Sequence, residues 1–167
     1  MAEISSTARA RIEAQGFVGL DRVTLARIHY WLRLAPAICM VWTALGTLLE
    51  SSTILWALVP FALLGAILPG HPFDVLYNHG IRRLTQGPPL PRYGFPRRFA
   101  CMFATVVLIA AASSFQFGHR VLGLSLGGLL VGAAFVNVST GFCIASFVYG
   151  SIFGRPTSCD LPEQRGT

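Results

Sequence analysis

The sequence predicts an all-α polytopic membrane protein, with four transmembrane helices in two antiparallel hairpins and an amphipathic helix along the cytoplasmic interface. Three observations carry that reading. Hydrophobic residues make up 53% of the 167 and charged ones only 12%, against about 25% charged in an ordinary soluble domain. A fold this small leaves much of its surface exposed, so in water it could not hide that much apolar area. Long apolar runs recur along the chain, and the arginines cluster between them on alternate sides.

Residues 1–20 are polar and lack an apolar run followed by a small-residue cleavage site, so they read as a retained cytoplasmic segment rather than a signal peptide. The membrane domain is expected over residues 21–153. Its first span, about residues 28–49, has Asp21 upstream as a cap and Tyr30 and Trp31 at the interfacial belt, and Arg33 must snorkel or find a partner. The second, about residues 52–68, is short and contains Pro60, so it needs its flanks to cross a core of about 30 Å. Only Glu50, Ser51, Ser52 and Thr53 separate the apolar runs, which makes the pair a helical hairpin.

The third span, residues 99–117, and the fourth, about residues 121–150, form the second hairpin across Gly118, His119 and Arg120. The fourth apolar run continues to Phe153 and as one helix would exceed the hydrocarbon core, so it must tilt, project or break. The polar Asn137, Ser139 and Thr140, followed by Gly141, mark the expected bend or buried hydrogen-bond cluster. Gly123, Gly127, Gly128 and Gly132 repeat at small-xxx-small spacing and predict close helix packing, within the chain or onto a partner. Residues 154–167 form the tail.

Twelve of the 13 arginines precede or open span one, lie between spans two and three, or follow span four, whereas the hairpin tips carry only Glu50 and Arg120. The chain has no lysine, so arginine alone sets the orientation: both termini and the long connection are expected in the cytoplasm, in a bacterial inner membrane. Because these arginines flank apolar runs instead of alternating with exposed aromatics, the expected partners are membrane lipids and other membrane subunits or a second copy, not nucleic acid.

Within the connection, Phe73, Leu76, Tyr77, Ile81 and Leu84 recur at helical spacing, with Asp74, Asn78 and Arg82 on another face. Pro72 suits the first turn and Gly87 ends the pattern, which predicts an interfacial helix over about residues 72–86. A proline-rich extended spacer follows. Arg82, Arg83, Arg97 and Arg98 are expected at the headgroups, and His71, Asp74, Asn78 and His79 are the residues of this connection that could support chemistry.

Motifs for catalysis are sparse. The cysteines, Cys39, Cys101, Cys143 and Cys159, form no CxxC, and the histidines show no HExxH spacing. No metal site and no cofactor is predicted, although haem, pigment or metal held between helices is compatible with the composition. Residues 96–107, PRRFACMFATVV, and 141–150, GFCIASFVYG, resemble a domain-of-unknown-function family of small bacterial integral membrane proteins, over roughly residues 21–153. The resemblance implies a second cysteine three residues after Cys143, where this chain has Ser146. Half of any dithiol is thereby missing, so the expected role is a non-enzymatic accessory or assembly subunit of a larger membrane complex, such as a respiratory or photosynthetic one. The alternatives are a thiol or sulfur relay through Cys143, and solute or lipid handling near Asn137 and Gly141.

Overall fold

The computed structural model describes residues 5–154; most of the expected tail, with Cys159, lies outside them. The elements are α1 (Ser6–Ala14), α2 (Arg22–Ile28), a 3-10 turn (Trp31–Arg33) that runs into α3 (Leu34–Leu48), α4 (Ser52–Ile67), a π-helical turn (Leu76–Ile81) that runs into α5 (Arg82–Thr85), α6 (Phe95–Gln116), α7 (Arg120–Thr140) and α8 (Ile144–Phe153). No strand occurs among the described residues.

Three helices are long and apolar enough to cross a membrane: Trp31–Leu48, Phe95–Gln116 and Arg120–Thr140. At 1.5 Å per residue they reach about 27, 33 and 32 Å. α4 is apolar but has 16 residues, or about 24 Å, and carries Pro60 inside it. It packs chiefly along α6, while α3 rests on α7 and α4, and α6 on α7. Leu55, Leu58, Ala62, Leu108, Ala111 and Ala112 form the core between α4 and α6. At the hairpin tips the two isolated charges meet, with Arg120 Nη2 2.6 Å from Glu50 Oε1.

The expected fourth span divides. α7 stops at Thr140, Gly141 takes the left-handed conformation (φ 70°), and Cys143 opens α8. The break falls where the polar residues placed it, but they do not form a buried cluster. Ser139 and Thr140 are exposed and return their hydroxyls to the carbonyls of Phe135 and Val136, while the Asn137 carbonyl accepts the Gly141 N–H. α8 then runs back beside α6 in the same sense: Ser146 Oγ donates to the Pro96 carbonyl, and the Tyr149 ring meets Phe99 at 5.4 Å.

The segment expected as a polar appendage is built into the fold. Ile12 and Phe17 bury against Leu25, Ile28, Leu32 and Tyr93, forming a second core at the end of the bundle away from Glu50. The interfacial helix also departs from its expected form. It is helical from Asp74, but a π turn rotates its face, so Tyr77 is buried while Leu76 and Leu84 are exposed. Asp74, expected on the polar face, points inward and is 6% exposed.

Candidate functional site

A chain of buried polar groups links the first helix to the middle of the bundle, and Arg97 is its hub. Pro96 sits at the start of α6, so Arg97 and Arg98 occupy its first turn, about 100° apart around the axis. One therefore faces inward. Arg97 is 5% exposed, which corrects its expected place at the headgroups. Its Nη1 donates to Gln15 Oε1 at 2.7 Å and its Nη2 to the Leu32 carbonyl at 2.5 Å. The guanidinium also lies 4.6 Å from the centre of the Tyr93 ring and 5.2 Å from that of Phe17, in cation–π geometry. Arg98 turns the other way and donates to the carbonyls of Ala66 and Ile67, closing the end of α4.

From Arg97 the chain runs in two directions. Toward α7, Gln15 Nε2 donates to the Gly141 carbonyl at 2.7 Å. Arg11 Nη1 bonds the Thr140 carbonyl at 2.7 Å, and Arg33 Nη1 bonds those of Val138 and Ser139 at 2.9 and 3.2 Å. The last turn of a helix leaves four carbonyls without partners and carries the negative end of the dipole, so two arginines and a glutamine satisfy both demands. Arg33 thus finds its partner on α7.

Toward α4, the Tyr93 hydroxyl bonds the Asp74 carboxylate, which also accepts the His71 N–H at 3.1 Å. His71 Nδ1 accepts the Phe73 N–H at 3.3 Å. Together these bonds make a buried capping box, in which His71 caps the helix from within and Asp74 reaches back to it. With Nδ1 occupied as an acceptor, the ring proton belongs on Nε2, which faces Cys39 Sγ at 3.8 Å. A Cβ on Gly65 would stand 3.1 Å from His71 Nε2 and 3.4 Å from Cys101 Sγ, so both thiols border one imidazole. Burial and then the Arg97 charge push His71 down to about 4. Burial raises Asp74 above the usual carboxylate range against the opposing pull of Tyr93 and Arg97, and lifts the Tyr93 phenol well above its ordinary value.

The remaining residues separate. Asn78 Oδ1 accepts the Leu90 N–H and fixes the spacer, whereas His79 is exposed and far from His71 in orientation. Arg83 is exposed, and Arg82 Nε bonds the Gly87 carbonyl. Cys143, half-buried, opens α8, and Ser146 is buried against Pro96. The cavity beside Gln15, Asn137 and Gly141 measures about 10 Å³, room for about one water. No cluster of three or more metal-ligating side chains occurs among the described residues.

The glycines of α7 divide into two pairs. A Cβ on Gly123 would stand 2.8 Å from the Phe115 ring, and one on Gly127 would collide with Thr47; Gly128 and Gly132 have nothing within 4 Å. One half of the small-residue pattern joins the chain's own helices. The other half is open.

The model of a family described as a domain of unknown function (DUF4395) matches residues 29–153. The chain belongs to this family. Neither a curated protein nor a solved structure matches it. The matched region of the DUF4395 chain contains the capping box, Tyr93, Arg97 and both glycine pairs, while Arg11 and Gln15 precede it. Sequence reasoning missed Gln15 and Tyr93, and found Cys39 and His71 without pairing them. The available signal was the Pro96-Arg97-Arg98 run, because two adjacent arginines at a helix start cannot both face the headgroups.

Proposed function

We propose that this chain is a multi-pass bacterial inner-membrane protein that acts, without catalysis of its own, as an accessory or assembly subunit of a larger membrane complex, for example a respiratory or photosynthetic one. In this reading α4 is the fourth crossing and both termini lie on the cytoplasmic side, while α8, about 15 Å long, is too short to cross. The observation that carries the reading is the open pair Gly128 and Gly132 on α7, flanked by exposed Leu129 and Phe135. Small residues that let backbones approach are a principal means of helix association in lipid, and this pair meets no other helix among the described residues. The buried polar chain then serves to hold the bundle rigid for docking, with no resident cofactor required.

Extraction of the tagged protein in mild detergent should co-purify a second membrane protein or a second copy. Gly128→Leu with Gly132→Leu should release it, while Gly128→Ala with Gly132→Ala should retain most of it. A wild-type protein that is monomeric and unaccompanied, in detergent and in native nanodiscs alike, would sink the proposal.

A second reading is favoured by the approach of Cys39 to His71, with Cys101 beside them: a thiol or sulfur relay in which Cys143 at the α7–α8 break hands on to the buried pair. The Nε2 proton makes His71 a donor toward Cys39 rather than a base. Cys143→Ser, Cys39→Ser and Cys101→Ser should each abolish a relay; a knockout phenotype fully complemented by all three removes it.

A further inference from the structure

We infer that the cytoplasmic end of this protein is a binding surface for anionic phospholipid headgroups, built by Arg22, Arg27, Arg83 and Arg92; this rests on the membrane orientation proposed above but not on any protein partner. The inference begins with the acidic groups. Among the described residues there are four. Glu13 pairs with Arg9 at 2.7 Å, Asp21 accepts the Thr24 N–H to cap α2, Asp74 is buried in the capping box, and Glu50 pairs with Arg120 at the opposite end. Among the described residues no carboxylate forms an ion pair with any arginine besides Arg9 and Arg120.

Five of the arginines at this end are also committed, since Arg11, Arg33, Arg82, Arg97 and Arg98 donate to backbone carbonyls. Arg22, Arg27, Arg83 and Arg92 are exposed and have no partner among the described residues. They sit on one continuous layer. α2 buries Leu25 and Ile28 against Tyr93, the Trp31 ring meets the tilted Tyr77 ring at 5.1 Å, and Asn78 bonds the spacer at Leu90, so α2, the π turn with α5, and the spacer are joined to each other.

Apolar side chains interrupt the charges. Val23 is 56% exposed, Leu76 57% and Leu84 87%; Val23 and Leu84 adjoin the unpaired Arg22 and Arg83, and Leu76 lies on the same turn-and-helix segment as Arg83. A surface facing bulk water gains nothing from these residues. At a bilayer boundary, however, they enter the acyl region while the guanidiniums meet phosphates, in the bidentate geometry to which arginine is suited. This interleaving favours a lipid surface over an acidic protein, which would answer the charges but not the apolar tips.

The test uses the purified full-length chain in neutral detergent micelles, doped with either phosphatidylglycerol or phosphatidylcholine and weighed by native mass spectrometry. The wild type should retain phosphatidylglycerol roughly tenfold more than phosphatidylcholine at low salt, because the unpaired guanidiniums attract an anionic headgroup and not a zwitterionic one. The preference should fall with added salt. Changing all four residues together to Gln should abolish it, and changing all four to Lys should keep most of it. Because none of the four has a partner in the fold, circular dichroism should find both variants folded; a Gln variant that fails to fold is replaced by the pairs Arg22→Gln with Arg27→Gln and Arg83→Gln with Arg92→Gln, each expected to lose about half the excess. Equal retention of the two lipids by the wild type, or an excess that survives the Gln changes, overturns the inference. Neither result bears on whether Gly128 and Gly132 bind a protein, which is read separately by co-purification.

Discussion

Gly127 and Gly128 are neighbours on α7 and face opposite surroundings, so the same small change should have opposite consequences. At Gly127 an added Cβ would run into Thr47 Oγ1, with Thr47 Cγ2 at 2.7 Å and Cβ at 3.0 Å. Thr47 is β-branched and 6% exposed, and its rotamer is restrained by α3, so it cannot simply swing aside. Its hydroxyl is, among the described residues, the one buried side-chain oxygen without a hydrogen bond, held against the glycine by packing alone. Overpacking of this kind costs about 1–3 kcal/mol. At Gly128 the methyl group enters open space, and replacing a mid-helix glycine by alanine gains about 0.5–1 kcal/mol. The helix gain applies at Gly127 as well, so the difference between the two variants should be the overpacking cost, about 1–3 kcal/mol. Thermal unfolding in one detergent, followed by tryptophan fluorescence, should show Gly127→Ala several degrees below wild type and Gly128→Ala at or above it. If Gly127→Ala is as stable as wild type, or Gly128→Ala is the weaker of the two, the assignment of inner and outer faces on α7 is wrong.

Arg97→Leu should destabilise by roughly 3 kcal/mol in the same assay, because it leaves Gln15 and the Leu32 carbonyl without their buried donor, and Arg97→Lys should recover only part, lacking the fork that reaches both. His71 is held neutral in the fold, with its pKa lowered from about 6.5 to about 4, so stability should be unaffected above pH 6.5 and decline by up to about 3 kcal/mol as the pH falls toward 4. The raised Asp74 acts in the opposite sense, from its raised folded value down to 3.8, and so overlaps the acid part of the same window; titration of unfolding midpoints in wild type and His71→Gln should show the decline between pH 6.5 and 4 only in the former. Truncation of the Arg11 and Arg33 side chains to Ala should speed amide exchange over residues 137–141, and unchanged protection there would refute their capping role. In a background with the native cysteines replaced by Ser, Arg83→Cys should react with an impermeant maleimide only from the cytoplasmic side and Glu50→Cys only from the other.

Much of the architecture was legible because lipid imposes strong constraints. Apolar length located α3, α6 and α7, the polar run before Gly141 located the break, and glycine spacing pointed to the packing face of α7. Each of these follows from local composition. The buried polar chain did not, because its members are drawn from four separate places: Gln15 before the matched region, His71 and Asp74 after α4, Tyr93 in the proline spacer and Arg97 on α6. Periodicity placed Asp74 on a solvent face because it assumed 3.6 residues per turn, and the π turn after Val75 broke that assumption. Likewise, Arg97 and Arg98 look equivalent in sequence and are distinguished only by the rotation of α6.

The first described helix is bound to the last turn of the last long one: Arg11 and its acceptor at Thr140 are separated by 129 positions. At about 5–20 residues per second, α1 must wait on the order of ten seconds before its dock exists. Over the first part of that interval Ile12 and Phe17 have no Tyr93 or Arg97 to cover them, and the last carbonyls of α7 stay uncapped until α1 reaches them. Docking of α1 must therefore follow synthesis of α7, and the helix acts as a latch between the two ends of the chain.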